Sequence, residues 1–352
     1  MRGWEKNVRR VIPYVPGEQP VLENLIKLNT NENPYPPSPK VLEALSRMDG
    51  EKLRKYPDPA SLSLTRALAE RYGVAEDQVF VGVGSDDVLG MAFMTFFNSE
   101  KPVLFPDISY SFYPVWAELL RIPYETRELD DSFAIRKEDY LTENGGIVFP
   151  NPNAPTGLLM PLSEVEEIVA ANPDTVVIVD EAYIDFGGQS AVSLIAGYDN
   201  LLVVQTFSKS RSMAGMRIGF ALGQAPLIKA MSDVKYSYNS YTMNLPSQVA
   251  GVKALEDEEY FQETVGKVIT TREKAKSRLT GLGFTFPDSR ANFIFAKHKE
   301  KPAQEIFQAL KEKQIFVRHF NQPRINNYLR ITVGTEQEME ALFAFLGEYL
   351  SE

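Results

Sequence analysis

Cysteine is missing from all 352 residues, and histidine occurs only twice, at His298 and His319. Disulfides, thiol nucleophiles and cysteine-based zinc sites are thereby excluded, no metal site is expected, and a Ser-His-Asp triad could use only those two late histidines. Positive charge is also short. The 37 Lys and Arg stand against 47 Asp and Glu, a formal net charge of -10, which disfavours a nonspecific nucleic-acid or anionic-membrane surface but leaves room for local basic pockets. The longest strongly apolar stretch, Val88 to Phe97, falls far short of the ~20 residues that span a bilayer. Met1 to Arg10 carries charge without a following apolar run of signal-peptide length, so a cytoplasmic location is expected. No repeat, low-complexity tract or long Gly/Ser linker is present, so any domain border should be packed rather than flexible.

What is present is ordinary globular material, 44% hydrophobic and 24% charged, in a chain long enough for a sizeable core and two domains. With no thiols and few imidazoles, proton transfer in an enzyme built from this chain falls to Lys, Tyr or carboxylates. An organic cofactor would then carry the difficult electronics.

Short β-branched and aromatic runs alternate with amphipathic stretches, the pattern of an α/β layered domain. The runs predict strands at Val79 to Val83, Val103 to Phe105, Ile147 to Pro150, Val176 to Asp180, Leu201 to Phe207 and Ile218 to Leu222. Helices are expected at Asp86 to Phe97, Tyr110 to Leu120, Ser163 to Ala171 and Ala225 to Tyr236, with Ser163 and Glu166 forming a capping box. After Asn244 the spacing predicts one long helix through Leu282. Beyond it, strands at Asn292 to Ala296, Ile315 to Arg318 and Tyr328 to Val333, with helices at Ala303 to Lys313 and Glu336 to Leu350, predict a small α+β domain.

Four segments at strand ends could build a ligand site, since open α/β sheets bind there. In Val81-Gly-Val-Gly-Ser-Asp-Asp87, glycines let the backbone approach closely and Ser85 and Asp86 open a helix whose N–H groups can hold phosphate. Position 87 is not the third glycine of a dinucleotide fingerprint, and a simple capped helix start reads the same way. Pro150-Asn-Pro-Asn-Ala-Pro-Thr-Gly157 is a tight loop after a strand, either a plain turn or a loop whose amide meets an aromatic hydroxyl. Val176-Val-Ile-Val-Asp-Glu-Ala-Tyr183 delivers Asp180 at a strand's carboxyl end. There a buried carboxylate can keep a pyridine nitrogen protonated, and Tyr183 can reach a ring oxygen. The fourth segment, Gln205-Thr-Phe-Ser-Lys-Ser-Arg-Ser-Met-Ala-Gly-Met-Arg217, places Lys209 at a strand end with an arginine eight residues on. A lysine partly desolvated beside a second cation has a freed amine that can condense with an aldehyde, and Arg217 can hold a phosphate, which points to pyridoxal phosphate. On its own the segment also fits an exposed loop.

Taken in chain order with Leu28-Asn-Thr-Asn-Glu-Asn-Pro34, Arg54-Lys-Tyr-Pro-Asp58, Asp180-Glu-Ala-Tyr-Ile-Asp-Phe186 and Leu329-Arg-Ile-Thr-Val-Gly-Thr335, these segments resemble the fold-type I, aspartate aminotransferase-like family of pyridoxal phosphate enzymes. Within it they are similar to the histidinol-phosphate aminotransferases, over nearly the whole chain. The resemblance implies an α/β fold with an N-terminal arm at 1–45 that belongs partly to the small domain. It further implies a large, mostly parallel-sheet cofactor domain at 46–260 and a small α+β domain at 261–352. It also implies that Lys209 binds the cofactor aldehyde and moves the proton, Asp180 pairs with the pyridine nitrogen, and Tyr183 meets the ring hydroxyl. Gly84, Ser85, Asp86, Ser208 and Arg217 would hold the phosphate, Tyr110 would stack on the ring, and Tyr56 would reach the phosphate from a neighbouring subunit, so that a homodimer shares its active sites. The family has Asn immediately before Pro-Thr-Gly; this chain has Ala154, and Asn153 is the substitute considered for the missing amide.

For substrates, the resemblance implies that Arg330 binds the acidic group, with Arg318, Tyr14 and Asn33 in the same pocket; arginine's planar fork suits phosphate and carboxylate. The implied reaction transfers the amino group of L-histidinol phosphate to 2-oxoglutarate, giving imidazole-acetol phosphate and glutamate in histidine biosynthesis. Three other readings share these residues: an aromatic amino-acid aminotransferase, a phosphate-recognising decarboxylase, and a noncatalytic regulator that keeps the fold.

Overall fold

The computed structural model describes residues 2–20 and 24–351. Its strands are β1 (Ile26–Lys27), β2 (Val79–Gly82), β3 (Val103–Pro106), β4 (Tyr124–Arg127), β5 (Gly146–Pro150), β6 (Val177–Asp180), β7 (Leu201–Thr206), β8 (Gly219–Gly223), β9 (Phe284–Thr285), β10 (Phe293–His298), β11 (Ile315–Phe316), β12 (Arg318–His319) and β13 (Leu329–Thr332). Its helices are α1 (Pro39–Ser46), α2 (Leu62–Tyr72), α3 (Ser85–Phe96), α4 (Phe112–Leu120), α5 (Leu162–Ala171), α6 (Ala225–Tyr238), α7 (Leu245–Leu255), α8 (Glu258–Gly281), α9 (Ala303–Glu312) and α10 (Glu336–Tyr349).

Strands run in the order β2-β8-β7-β6-β5-β3-β4 in a seven-stranded sheet, parallel except that β8 opposes both of its neighbours. Near-continuous apolar strands such as Val177–Asp180 and Leu201–Thr206 are buried along their length, because helices cover both faces. Leu64, Leu68, Val165, Ile168 and Ala250 pack on one face; Val88, Phe93, Tyr113, Trp116 and Met231 pack on the other. A second, antiparallel sheet of order β12-β13-β10-β9 packs on Leu279, Ile306, Leu310 and Leu342 of α8, α9 and α10. An early and a late segment of the chain meet in this region, where β1 pairs in parallel with β11, Ile26 opposite Ile315.

The expected single helix from Asn244 to Leu282 is two helices, broken at Glu256 and Asp257. Asp257 has non-helical dihedrals (φ -116°, ψ 60°) and caps α8, whose first turn carries Glu258 and Glu259, as a helix N-terminus favours. The expected border at 260/261 falls inside α8. The expected capping box does not form: Pro161 opens α5 at Leu162, and the Glu166 carboxylate accepts instead from the Tyr198 hydroxyl at 2.9 Å. Ile315 to Arg318 is not one strand but parts of β11 and β12, in different sheets. Five elements, α1, α2, β1, β4 and β9, were not expected from the sequence. Among the described residues no helix is long and apolar enough to cross a membrane, and no cluster of three or more His, Asp or Glu is placed to hold a metal ion.

Candidate active site

Because β8 returns antiparallel beside β7, with Thr206 opposite Gly219, residues 207–218 form one loop at the carboxyl end of the sheet. Lys209 and Arg217 both lie on that loop. Thr206 fixes its root: its hydroxyl donates to the Ile218 carbonyl (3.1 Å) and accepts from the Ser208 N–H (3.1 Å). Arg217 has a left-handed backbone (φ 52°) and its fork reaches the Ser208 hydroxyl, the Ala214 carbonyl and the Asp86 carboxylate, at 3.4, 3.2 and 3.4 Å. Two glycines make this approach possible. A Cβ on Gly84 (φ 87°) would lie 2.5 Å from the Arg217 guanidinium, and one on Gly219 would lie 2.3 Å from the Gly84 carbonyl carbon. Gly84 caps α3, whose first residues are Ser85 and Asp86. Gly84, Ser85, Asp86, Ser208 and Arg217 are thus brought together at a helix N-terminus, with free N–H groups and one arginine fork, a cradle suited to a phosphate.

A cavity of about 280 Å³ adjoins this cradle, bordered by Asp86, Tyr110, Ala154, Tyr183 and Lys209 on the large-sheet side and by Arg318, Phe320 and Arg330 on the other. The Lys209 ammonium donates to the Thr30 carbonyl at 3.1 Å. Asp180, at the end of β6, is buried; it accepts from the Tyr113 hydroxyl (2.9 Å) and the Ala182 N–H (3.3 Å) and has no ion-pair partner among the described residues. Burial pushes its carboxyl up to about 6 against the opposing pull of those donors. A cationic ring nitrogen beside it would reverse that penalty. The Tyr110 hydroxyl donates to Asp86 at 2.6 Å, and burial together with that carboxylate raises its ionisation well above the usual tyrosine range. The Tyr183 hydroxyl accepts from the Asn31 amide at 2.9 Å. An aldehyde-reactive amine on the cavity, a buried carboxylate lacking a cation at the end of the adjacent strand β6, and a phosphate cradle that adjoins the cavity form a donor set that fits pyridoxal phosphate.

On the far wall, Arg318 and Arg330 are direct partners across β12 and β13. Arg330 is desolvated, which lowers its affinity for a proton. One of its nitrogens donates to the Asn29 carbonyl (3.0 Å), Nε has no partner among the described residues, and the guanidinium lies over Phe293 and Phe320. Arg318 lies over Phe320. The arm supplies Tyr14, stacked on Phe112 with ring centroids 4.4 Å apart.

Asn153, Asn33 and Tyr56, all expected at the site, do not border the cavity. Asn153 is buried behind Ala154, its amide nitrogen spent on the Ile108 carbonyl (3.0 Å) and Thr156 (3.2 Å), so it does not take the place of the amide missing at 154. Asn33 donates to the Lys209 and Ser210 carbonyls (3.1 and 3.2 Å) and braces the lysine loop rather than facing a substrate. Tyr56 is 82% exposed and remote from its own chain's cavity, its ring against Tyr241. Thr30, Asn31 and Tyr113 are site residues that the sequence reading missed. The signal for the first two was the segment Leu28 to Pro34 itself, and Tyr113 sits one helical turn from Tyr110.

Known proteins resemble this chain over nearly its full length. It is 55% identical over 347 residues to histidinol-phosphate aminotransferase 1 of Hydrogenovibrio crunogenus, covering 99% of this chain and 98% of the relative. It is 54% identical over 351 residues to the histidinol-phosphate aminotransferase of Aromatoleum aromaticum, covering 99% of each. The crystal structure of histidinol-phosphate aminotransferase from Sinorhizobium meliloti in complex with pyridoxal-5'-phosphate superposes with a TM-score of 0.85 at 25% identity, covering 93% of this chain and 91% of that one. A family model, aminotransferase class I and II, matches residues 23–346. Matched by that model over most of its length and by relatives more than half identical over 99% of it, the chain belongs to the class I and II aminotransferases.

Proposed function

We propose that this enzyme is a pyridoxal phosphate-dependent aminotransferase that moves the amino group of L-histidinol phosphate to 2-oxoglutarate. The observation that carries the donor is the pair Arg318 and Arg330, side by side without a carboxylate partner among the described residues, on the same cavity as Lys209. Two adjacent guanidinium groups in a partly desolvated wall repel each other until an anion bridges them, and a phosphate or carboxylate does so bidentately. The same pair serves both half-reactions, taking the donor's phosphate in one and a carboxylate of the keto acid in the other. The names of the relatives support this reading.

When bound, pyridoxal phosphate supplies an aldehyde carbon that takes up the donor nitrogen and a ring that accepts the electron pair left on the donor carbon. Lys209 Nζ is the group that moves the proton from that carbon to the cofactor side. Asp180 favours the protonated ring nitrogen, and the N–H groups opening α3 hold the phosphate together with Ser208 and the Arg217 fork. The Asp86 side chain stays with Tyr110 and Arg217 and orients both. Asn31 donates to the Tyr183 hydroxyl, leaving that hydroxyl its own proton to give to the ring oxygen, and so offsets the amide missing at Ala154.

We read the enzyme as a homodimer with shared sites: Tyr56 projects into solvent with its ring against exposed Tyr241, and Leu53, Leu62, Tyr236 and Tyr238 are exposed as well. A phosphate ester does not diffuse through a bilayer, so the enzyme works where its donor is made, which we take to be the cytoplasm. The parts 1–45, 46–260 and 261–352 are proposed as N-terminal arm with part of the small domain, cofactor domain and small α+β domain, with α8 running through the second border.

The test is an absorption spectrum of the protein carrying its cofactor, taken before and after histidinol phosphate is added without a keto acid. Loss of the visible band, restored by 2-oxoglutarate, is the expected result. A response to phenylalanine but not histidinol phosphate would instead make this an aromatic aminotransferase, and carbon dioxide released from a phosphorylated amino acid would make it a decarboxylase.

A further inference from the structure

Tyr56 lies in the segment Tyr56-Pro57-Asp58-Pro59, and the two prolines leave it few N–H donors with which to hold its own shape. Its carbonyls must be held from outside. Two buried side chains from different helices do this: Lys235 of α6 donates to the Pro59 carbonyl at 3.0 Å, and Gln248 of α7 donates to the Asp58 carbonyl at 2.9 Å. The Asp58 carboxylate closes the turn by accepting from the Ala60 and Leu62 N–H groups at 3.0 and 2.8 Å. Beyond α6, Tyr241 packs on the Tyr56 ring, centroids 4.6 Å apart.

Lys235 is the unusual member. It is 5% exposed and has no ion-pair partner among the described residues; its ammonium lies 5.6 Å from the centres of the Phe80 and Tyr236 rings. Burial lowers its affinity for a proton. A methionine would fill the space without that desolvation cost, so packing does not account for a lysine here. What the ammonium adds is a donor long enough to reach the Pro59 carbonyl and stop the loop from swinging.

We propose that Lys235 and Gln248 are positioning residues that set the projection of Tyr56, and through it the retention of cofactor in the neighbouring subunit. The inference rests on the reading of Tyr56 as a phosphate contact across a dimer. Neither residue borders the cavity, so the loop is their route to the cofactor; Gln248 also donates to the Met243 carbonyl at 3.2 Å.

The test is the dissociation constant of pyridoxal phosphate, measured by titrating stripped dimer of the wild type, Tyr56→Phe, Lys235→Met, Lys235→Arg and the double variant Tyr56→Phe/Lys235→Met. Tyr56→Phe is expected to weaken retention roughly tenfold and Lys235→Met roughly fivefold, the scale of one lost hydrogen bond each. Lys235→Arg, which keeps a donor, should recover most of the loss. The double variant should be no weaker than Tyr56→Phe alone, because both changes act through one contact. Losses that multiply in the double variant, or wild-type retention in Lys235→Met beside a weakened Tyr56→Phe, would overturn the inference. Wild-type retention in Tyr56→Phe would instead bring down the shared-site reading on which it rests. If Lys235→Met does not fold, Gln248→Leu removes the other brace without touching a buried charge, with the same expected loss and the same overturning result.

Discussion

On the large-sheet side of the cavity the polar groups near Lys209 satisfy one another: Asp86 takes Tyr110 and Arg217, Asp180 takes Tyr113, Tyr183 takes Asn31. On the small-sheet side Arg318 and Arg330 stand opposite each other and turn to aromatic rings and one carbonyl, with no carboxylate at ion-pair distance among the described residues. The first wall is a hydrogen-bonded frame set before anything binds, with Asp180 its one carboxylate awaiting a cation, whereas the second has two adjacent like charges that only an anionic ligand completes. A cofactor that stays through many turnovers suits the first, and two alternating anionic substrates suit the second.

The largest test of this contrast removes the one reactive amine. Lys209→Ala should lower turnover by on the order of 10⁴-fold while the melting temperature hardly moves, since the frame around it is held by other residues. Comparable losses in both would mean that the lysine is structural. Next, Arg330→Lys should reduce kcat/KM for a phosphorylated donor by roughly 10- to 100-fold, because a point charge cannot bridge as a fork does, and cofactor affinity should stay as it was. A parallel loss of cofactor would erase the division between the walls.

The smallest effect is on stability. Glu181, next to Asp180 but facing away from the cavity, is buried among Ser190, Ala191 and Gln205, and burial pushes its carboxyl from 4.5 up to about 7. A raised folded-state value means that the folded protein binds the extra proton, so this group's contribution is full below pH 4.5 and is lost as pH rises through 7. The stability of the wild type should therefore decline between about pH 5 and 8 relative to Glu181→Gln, by at most a few kcal/mol at the upper end. Denaturant melts of the two proteins across that range would show a constant gap if the carboxyl were unperturbed.

The central strands were legible because both faces are buried and the runs are apolar throughout, as in Leu201–Thr206. The edge strand β4, Tyr124–Arg127, was not, since half of it meets water and its composition is polar. That Lys209, Asp180 and Arg217 lie at the ends of neighbouring strands was readable because strand ends in an open α/β sheet converge. The roles of Asn153 and Asn33 were not, because an amide one residue out of place turns on a backbone path that loop composition does not encode. Tyr113 looked like any core aromatic on an amphipathic helix; only its carboxylate partner distinguishes it.

The pairing of β1 with β11 also bears on how the protein is made. Residues 79–223, which carry the lysine and the phosphate cradle, can pair into their sheet while the ribosome is still adding chain. The far wall comes from β12 and β13, and Thr30, which holds the lysine, lies just beyond a strand whose partner is Ile315–Phe316. The first segment of the site to be synthesised therefore waits for nearly the last, and a nascent or C-terminally truncated chain, however well its large sheet has folded, has no place to bind a substrate anion.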